Sequence, residues 1–400
     1  MGKKALEGIR VIDFTNGAAG TICTRRLGSF GADVIRVESM EYIDSMRLMS
    51  GPGHFHRCAP FTSAGLSKRS IVVNMKEPQG VEIVKRLVSI SDLFVENYGF
   101  GVVESWGLDY EELQKIRPDI IMLRSPGLGL GGPRSKQRTQ GPLISSLSGI
   151  YYLWRHPTEI RPIGSQVIHP DFYAANQGVV SILAALDYRA KTGKGQLIDM
   201  SQAEVVSSLL GPIFLDYTVN NNVPEPMGNH CSYASPHGVY RCNGDDKWCA
   251  IAVFSEDEWK RFCDAIGNLS WTQDARFDNL LGRIAHSEEL DKLVEEWTIH
   301  YSPYEVMEIL QKAGVNACVA QNNEELFYDP QLNERGYITE IDHPQAGKRA
   351  YSGIPMKLSE TPGEDFPCPM FGQHTHEILR DLLHMSEEEI QELADEGILA

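Results

Sequence analysis

Between Arg10 and Leu123 short apolar runs alternate with segments of helical periodicity, and no other feature of the sequence narrows the fold so far. Arg10–Phe14 reads as a buried strand, Gly20–Phe30 as an amphipathic helix, and Asp33–Val37 as a second strand ending at Glu38, together a βαβ unit. The pattern continues with the strand Ile71–Asn74, the helix Gln79–Val88 opened by Pro78, and the strand Leu93–Glu96. A helix Tyr110–Ile116 behind Asp109 and a strand Ile120–Leu123 follow. Such alternation predicts an α/β fold with a largely parallel sheet, whose ligands lie beyond the carboxyl ends of the strands.

The first turn invites a dinucleotide reading, with Glu38 holding a ribose. Its loop, Asn16-Gly17-Ala18-Ala19-Gly20, lacks the GxGxxG spacing that brings amides against a pyrophosphate, so this reading stays secondary. No GxxxxGK[ST] loop occurs, and nucleotide hydrolysis has no support. Residues 40–67 carry Gly, Pro, His and Ser without periodicity and are expected to form a long loop, a kind of segment that is more often functional than idle. Strand ends lead into Asn97-Tyr98-Gly99 and into the run Gly127-Leu128-Gly129-Leu130-Gly131-Gly132; each is a tight turn or a place where backbone approaches a ligand.

The stretch Ile168–Met200 joins a carboxylate, a helix and a strand. Phe172, Ala175, Val179, Ile182, Leu183 and Leu186 recur at helical spacing behind Pro170 and Asp171. By residue type Asp171 is a helix cap or first-turn acid. Gly193 and Gly195 stop the helix, and Gln196–Met200 reads as a buried strand. Beyond a helix Gln202–Leu210 and a linker near Asn220–Pro226, two strands flank the turn Asn243-Gly244-Asp245-Asp246. Helices Glu256–Ile266, Ser287–Trp297 and Pro303–Gln311 complete a compact α+β piece. Strands Ile338–Ile341 and Tyr351–Lys357, then a helix from Ser386 to Leu393, close the chain. Residues 1–215 and 328–400 are expected to build one large domain around a small one at 235–320.

Four hundred residues with 54 acidic and 37 basic side chains, a formal charge of −17, argue against a nucleic-acid partner, which needs a basic face. A small anionic ligand remains compatible, because a pocket can be positive on an acidic protein. Eight cysteines without a CxxC pair point to reduced thiols and no metal site. No apolar run reaches membrane length and no signal-peptide core is present, so a cytoplasmic protein is expected, with no membrane partner.

In their order along the chain, LEGIRVIDFT, GADVIRVES, NMKEPQG, VENYGFGVVESWGLDYEEL, the Asp171 helix running into RAKTGKGQLIDMSQAE, and MFGQHTHEIL resemble the class III coenzyme A transferases, which include formyl-CoA and carnitine CoA-transferases. The resemblance implies a Rossmann-like large domain with an inserted smaller domain, and a dimer of interlocked chains. It implies coenzyme A as the acyl-CoA substrate, a carboxylic acid as acceptor, and Asp171 as the catalytic aspartate. It places CoA contacts at Ala18 and Ala19, at Asn74, Met75 and Lys76, and at Asn97, Tyr98 and Gly99. Asp171 would form an anhydride and then an aspartyl-CoA thioester, and the helix N-terminus is expected to hold it ionised. The branch suggested by FTNGAAG and PHGVYRC is that of the succinyl-CoA:benzylsuccinate transferases of aromatic degradation, which are heteromeric.

Several relatives carry Gln where Ala18 stands and Tyr near Gln140-Gly141-Pro142, and the small domain lacks the glycine run of formyl-CoA transferase. The α-methylacyl-CoA racemases share this fold and use a His with an Asp; their His falls near Gln140, which cannot take a proton, so transfer is the better reading. A silent subunit of a heteromeric transferase is the other alternative. His54, His56 and Arg57 are candidates to receive a second carboxylate of the acceptor.

Overall fold

A computed structural model describes residues 4–51, 53–161, 164–165 and 168–399. The chain divides into two compact units, one formed by Met1–Tyr151, Gly164–Val223 and Gly336–Ala400, the other by Tyr152–Ile163 and Pro224–Arg335.

The larger unit is built on a parallel six-stranded sheet. Its strands are β1 (Arg10–Phe14), β2 (Asp33–Glu38), β3 (Arg69–Val72), β4 (Leu93–Glu96), β5 (Ile121–Arg124) and β6 (Leu197–Asp199). They run in the order β3-β2-β1-β4-β5-β6, the Rossmann arrangement, in which the connection reverses direction between β1 and β4. Ile12 is in register with Ile35 on one side and Phe94 on the other. Because side chains alternate across a strand, each strand feeds two cores. Val11, Val34, Leu93 and Leu123 pack with Leu27 and Ile182 on one face. Ile12, Ile35, Phe94 and Met122 pack with Ile83, Leu87, Ile378 and Leu379 on the other. Helices therefore cover both faces, which is why the strands read as continuous apolar runs.

Residues 40–67 are not the loop expected. They hold a 3-10 turn (Met40–Tyr42) and short helices at Ser45–Leu48 and Ala59–Ala64. Asp44 opens the first of these by accepting from the Met46 N–H at 2.8 Å, and Pro60 stands in the first turn of the second. These elements are too short to show periodicity. Near the C-terminus β10 (Ile338–His343) pairs antiparallel with β11 (Gly347–Ser352), five residues short of the strand end expected at Lys357. Pro355 lacks the N–H that a continuing ladder would need.

The smaller unit holds a three-stranded antiparallel sheet of β7 (His237–Arg241), β8 (Trp248–Ala252) and β9 (Asn316–Val319) in that order. Trp259, Phe262, Phe277, Val294, Trp297 and Leu310 pack into its core.

Candidate active site

Asp171 lies in the first turn of the helix His169–Thr192, behind Pro170. Of the two roles expected from residue type it takes that of first-turn acid, not cap. Its Oδ1 instead reaches across to accept from the Ala19 N–H at 3.2 Å, in the first turn of the helix Ala18–Ser29. The two helix starts can meet because the facing positions are small. Ala19 and Cys23 on one helix meet Ala174, Ala175 and Gly178 on the other within a single core. A Cβ at Gly178 would lie 3.0 Å from Cys23 Sγ.

A third helix, Gly141–Leu147, brings its first residue against the same carboxylate. A Cβ at Gly141 would lie 2.4 Å from Asp171 Oδ2. That oxygen is buried and has no hydrogen-bond partner among the described residues. Burial pushes the Asp171 carboxyl up to about 6, against the opposing pull of the Ala19 N–H. The helix end is expected to hold the group ionised; desolvation outweighs the amides and raises the carboxyl above its ordinary value. At neutral pH the group is still mostly ionised, and it is more basic than an exposed carboxylate, which favours attack on a carbonyl carbon.

The loop before Ala18 is held residue by residue. Arg36 Nη2 donates to Thr15 O at 3.1 Å. The Asn97 side chain takes the Asn16 N–H at 2.8 Å and donates to Asn16 O at 2.7 Å. Asp44 Oδ2 accepts from the Gly17 N–H at 3.1 Å. Beside this loop, at the β1/β4 reversal point, a cleft is lined by Phe14, Tyr42, Asp44, Met75, Tyr98 and Trp106. The Trp106 ring meets Phe14, Tyr42 and Tyr98 edge-on, with ring centres 5.4 to 5.8 Å apart.

A family model for CoA-transferase family III matches residues 6–375. The chain belongs to CoA-transferase family III. It is 31% identical over 399 residues, 98% of each chain, to the succinyl-CoA–L-malate CoA-transferase beta subunit of Chloroflexus aurantiacus. It is 30% identical over 397 residues, 99% of this chain and 98% of the other, to the succinyl-CoA–D-citramalate CoA-transferase of that organism. A CAIB/BAIF family protein from Brucella suis superposes with a TM-score of 0.86 at 29% identity, covering 95% of this chain and all of that one.

In this family III CoA-transferase the residues expected to touch CoA gather at the carboxyl ends of β1, β3 and β4. Ala18 and Ala19 open the helix beside Asp171. Asn74 Oδ1 accepts from the Lys76 N–H at 3.1 Å, shaping a turn. Met75 is buried in the core and lines the cleft, and Lys76 is exposed and paired with Glu41. Asn97 has both ends of its side chain on Asn16, Tyr98 lines the cleft, and Gly99 is exposed.

Glu38 is not free to hold a ribose. Arg47 donates to both of its oxygens at 2.8 Å, and the Ser70 hydroxyl adds a bond at 2.6 Å. This removes the dinucleotide reading. His54, His56 and Arg57 do not converge: Arg57 Nε donates to His54 Nδ1 at 3.1 Å, while His56 Nδ1 accepts from the Phe371 N–H at 3.3 Å. Among the described residues no group of three or more His, Cys, Asp or Glu could hold a metal, and no helix is long and apolar enough to cross a membrane.

The sequence reading missed Gly141, whose role appears only once the fold brings it to Asp171. The glycine-rich run, expected as a tight turn or a close approach to a ligand, is held by two contacts. Gly127 allows the Thr139 side chain to pass where its own Cβ would be, and Asp199 Oδ1 accepts from the Leu130 N–H at 3.1 Å. The segment between is thereby closed into a loop that feeds directly into Gly141. Arg134, Lys136 and Arg138 are exposed on it, and Lys136 Nζ sits 5.3 Å from the Phe100 ring centre, next to Gly99.

Proposed function

We propose that this CoA-transferase takes CoA from succinyl-CoA and passes it to a dicarboxylic acid through covalent intermediates on Asp171. The observation that carries the mechanism is the buried Oδ2 of Asp171, unpartnered among the described residues, opposite an Oδ1 that is already held. Oδ2 attacks the thioester carbonyl, the C–S bond breaks, and CoA leaves as a thiolate beside a mixed anhydride. The thiolate then attacks the aspartyl carbonyl, releasing the donor acid and leaving an aspartyl-CoA thioester. The acceptor carboxylate attacks that thioester and expels the thiolate. Attack of the thiolate on the acceptor's carbonyl regenerates Asp171. Thioester is exchanged for thioester, so no ATP enters.

The cationic loop Arg134–Arg138 supplies positive charge that an anionic ligand needs on a protein of formal charge −17. Succinyl-CoA as donor is supported by the two Chloroflexus relatives, both named as succinyl-CoA-dependent CoA-transferases. Their acceptors support a substituted dicarboxylic acid as the class, of which benzylsuccinate is a member.

Assembly as a dimer, with a copy of itself or with a related subunit, is supported by apolar surface without a partner. The helix Gly211–Asn220 buries none of its residues and exposes Phe214, Leu215, Tyr217 and Val219. Val180, Leu183 and Tyr188 are exposed on the Asp171 helix. Patches of this kind mark interaction faces.

Incubation with succinyl-CoA followed by hydroxylamine or borohydride, with mass spectrometry of the Asp171 peptide, tests the mechanism. Modification at Asp171 that is lost in Asp171→Asn is the expected result. An unmodified peptide in a preparation that turns over would overturn it. Exchange of the α-hydrogen of a chiral 2-methylacyl-CoA in deuterated water, without any acceptor acid, would instead favour the racemase alternative.

A further inference from the structure

Six charged side chains are buried together beneath the loop that leads to Asp171. Lys68 Nζ lies 2.7 Å from Asp13 Oδ2, and Arg36 bridges Asp13, Glu38 and Asp44 at 3.5, 3.4 and 2.5 Å. Arg47 closes the chain on Glu38 at 2.8 Å. Three acids balance three bases, and none of the six is more than 6% exposed. Burying each ion costs several kcal/mol, and well-packed apolar residues would often give equal or greater stability. Stability is therefore a poor reason for such a cluster.

What the cluster does reach is backbone. Arg36 and Asp44, from β2 and the segment after it, hold Thr15 O and the Gly17 N–H. Asn97, at the end of β4, holds Asn16 between them. Gly17 stands at φ 71°, a conformation that favours glycine and that local interactions alone would not enforce. Ala18 and Ala19 follow, and the Ala19 N–H is the donor that fixes Asp171 Oδ1. Both oxygens of Asp44 are engaged: Oδ2 takes Arg36 and Gly17, Oδ1 takes the Met46 N–H. Asp44 thus couples a buried cation to the loop whose Ala19 N–H holds one oxygen of the carboxylate.

We propose that Asp44, braced by Arg36, is a positioning residue for the transfer reaction, acting through the Gly17–Ala19 backbone to hold Asp171 Oδ1 and leave Oδ2, beside Gly141, as the attacking oxygen. The proposal rests on the reading of Asp171 as nucleophile. Asp44→Asn keeps the size of the side chain but removes the charge that balances Arg36 and leaves one acceptor oxygen for the bonds now made by two. Arg36→Lys keeps the charge but loses the planar fork that reaches both Asp44 and Thr15.

The test is steady-state kinetics of succinyl-CoA-dependent transfer for the full chain and for Asp44→Asn, Arg36→Lys, Asp365→Asn and Asp171→Asn, each over a pH series and each with a measured Tm. Asp365→Asn is the control, because it breaks a part-buried ion pair, Arg25–Asp365 at 2.6 Å, at the far end of the helix Ala18–Ser29, without touching Gly17, Ala19 or Asp171. The expected result for Asp44→Asn is a kcat about 10- to 100-fold lower, the scale of a misplaced reacting group. Its KM for succinyl-CoA stays within about threefold of the parent, and the acid limb of its pH profile moves upward as the Ala19 N–H is lost. Asp365→Asn lowers Tm alone. A parental kcat and pH profile in Asp44→Asn overturns the proposal, as does a loss of activity that tracks Tm equally in Asp44→Asn and Asp365→Asn. Should Asp44→Asn fail to fold, Arg36→Lys gives the same reading, and parental kinetics there overturn the proposal too. Full activity in Asp171→Asn would overturn the nucleophile assignment separately, whatever the Asp44 variant does.

Discussion

Gly141 and Asp171 are packed so closely that a methyl group on the glycine would stand 2.4 Å from Asp171 Oδ2 and 2.0 Å from the Ile168 side chain. The backbone of one helix start forms the wall against which the carboxylate rests. Gly141→Ala is therefore expected to turn Asp171 away from its position and lower kcat at least about 100-fold. Far-UV circular dichroism should show the helices intact, since the clash is confined to side chains at one turn. Parental activity in this variant would mean that the carboxylate is not held where the structure places it.

Asp171 is raised from 3.8 to about 6 by burial. The folded chain therefore binds this proton more tightly than the unfolded chain does. The group favours folding below about pH 4, and this contribution falls away as pH rises to about 6. Above pH 6 the ionised carboxylate costs the fold up to about 3 kcal/mol. Asp171→Asn should accordingly raise Tm at pH 7.5, show little difference near pH 4, and abolish transfer. Denaturation curves at the two pH values check the sign.

The same shift bears on rate. The nucleophile is the ionised form, so kcat/KM should climb with pH through an apparent value near 6 and level off above it. A profile flat from pH 5 to 8 would contradict a buried carboxylate as the attacking group.

Asn97 makes two hydrogen bonds to Asn16. Its replacement by Ala should cost about 1–3 kcal/mol in urea unfolding of the free protein and should raise the KM for acyl-CoA as the loop loosens. An effect on KM without any effect on stability would assign the residue to the ligand instead of the loop.

The sheet could be read from the sequence because β1, β2, β4 and β5 are buried on both faces, so that VIDF, VIRVE, LFVE and IMLR stand out as apolar runs between helices. β9 was missed, since Asn-Ala-Cys-Val is short and only half buried. The elements within residues 40–67 were missed because they last barely a turn. Asp171 could be located by its place before a helix, but its cap reading failed because Oδ1 is claimed by a residue 152 positions earlier. Asp13, Arg36 and Glu38 carried a signal that was available, a charge set inside an apolar strand. Such a charge must find a partner, but local sequence does not say which one. Gly141 carried none: its meaning depends entirely on what the fold brings beside it.

The C-terminal segment sets the order in which this molecule can be made. Ile378, Leu379, Ile390 and Ile398 complete the same core as Ile12 and Phe94, Ser67 donates from its N–H to Phe366 O, and Asn74 from its own to Ile398 O. During synthesis at roughly 5–20 residues per second, the part of this core not covered by Ile83, Leu87 and Leu113 stays open for tens of seconds after the strands have left the ribosome, while the smaller unit is translated. The apolar side chains that wait for Ile378, Leu379, Ile390 and Ile398 are thus the part of the newborn chain most open to association with other chains before the last residues are made.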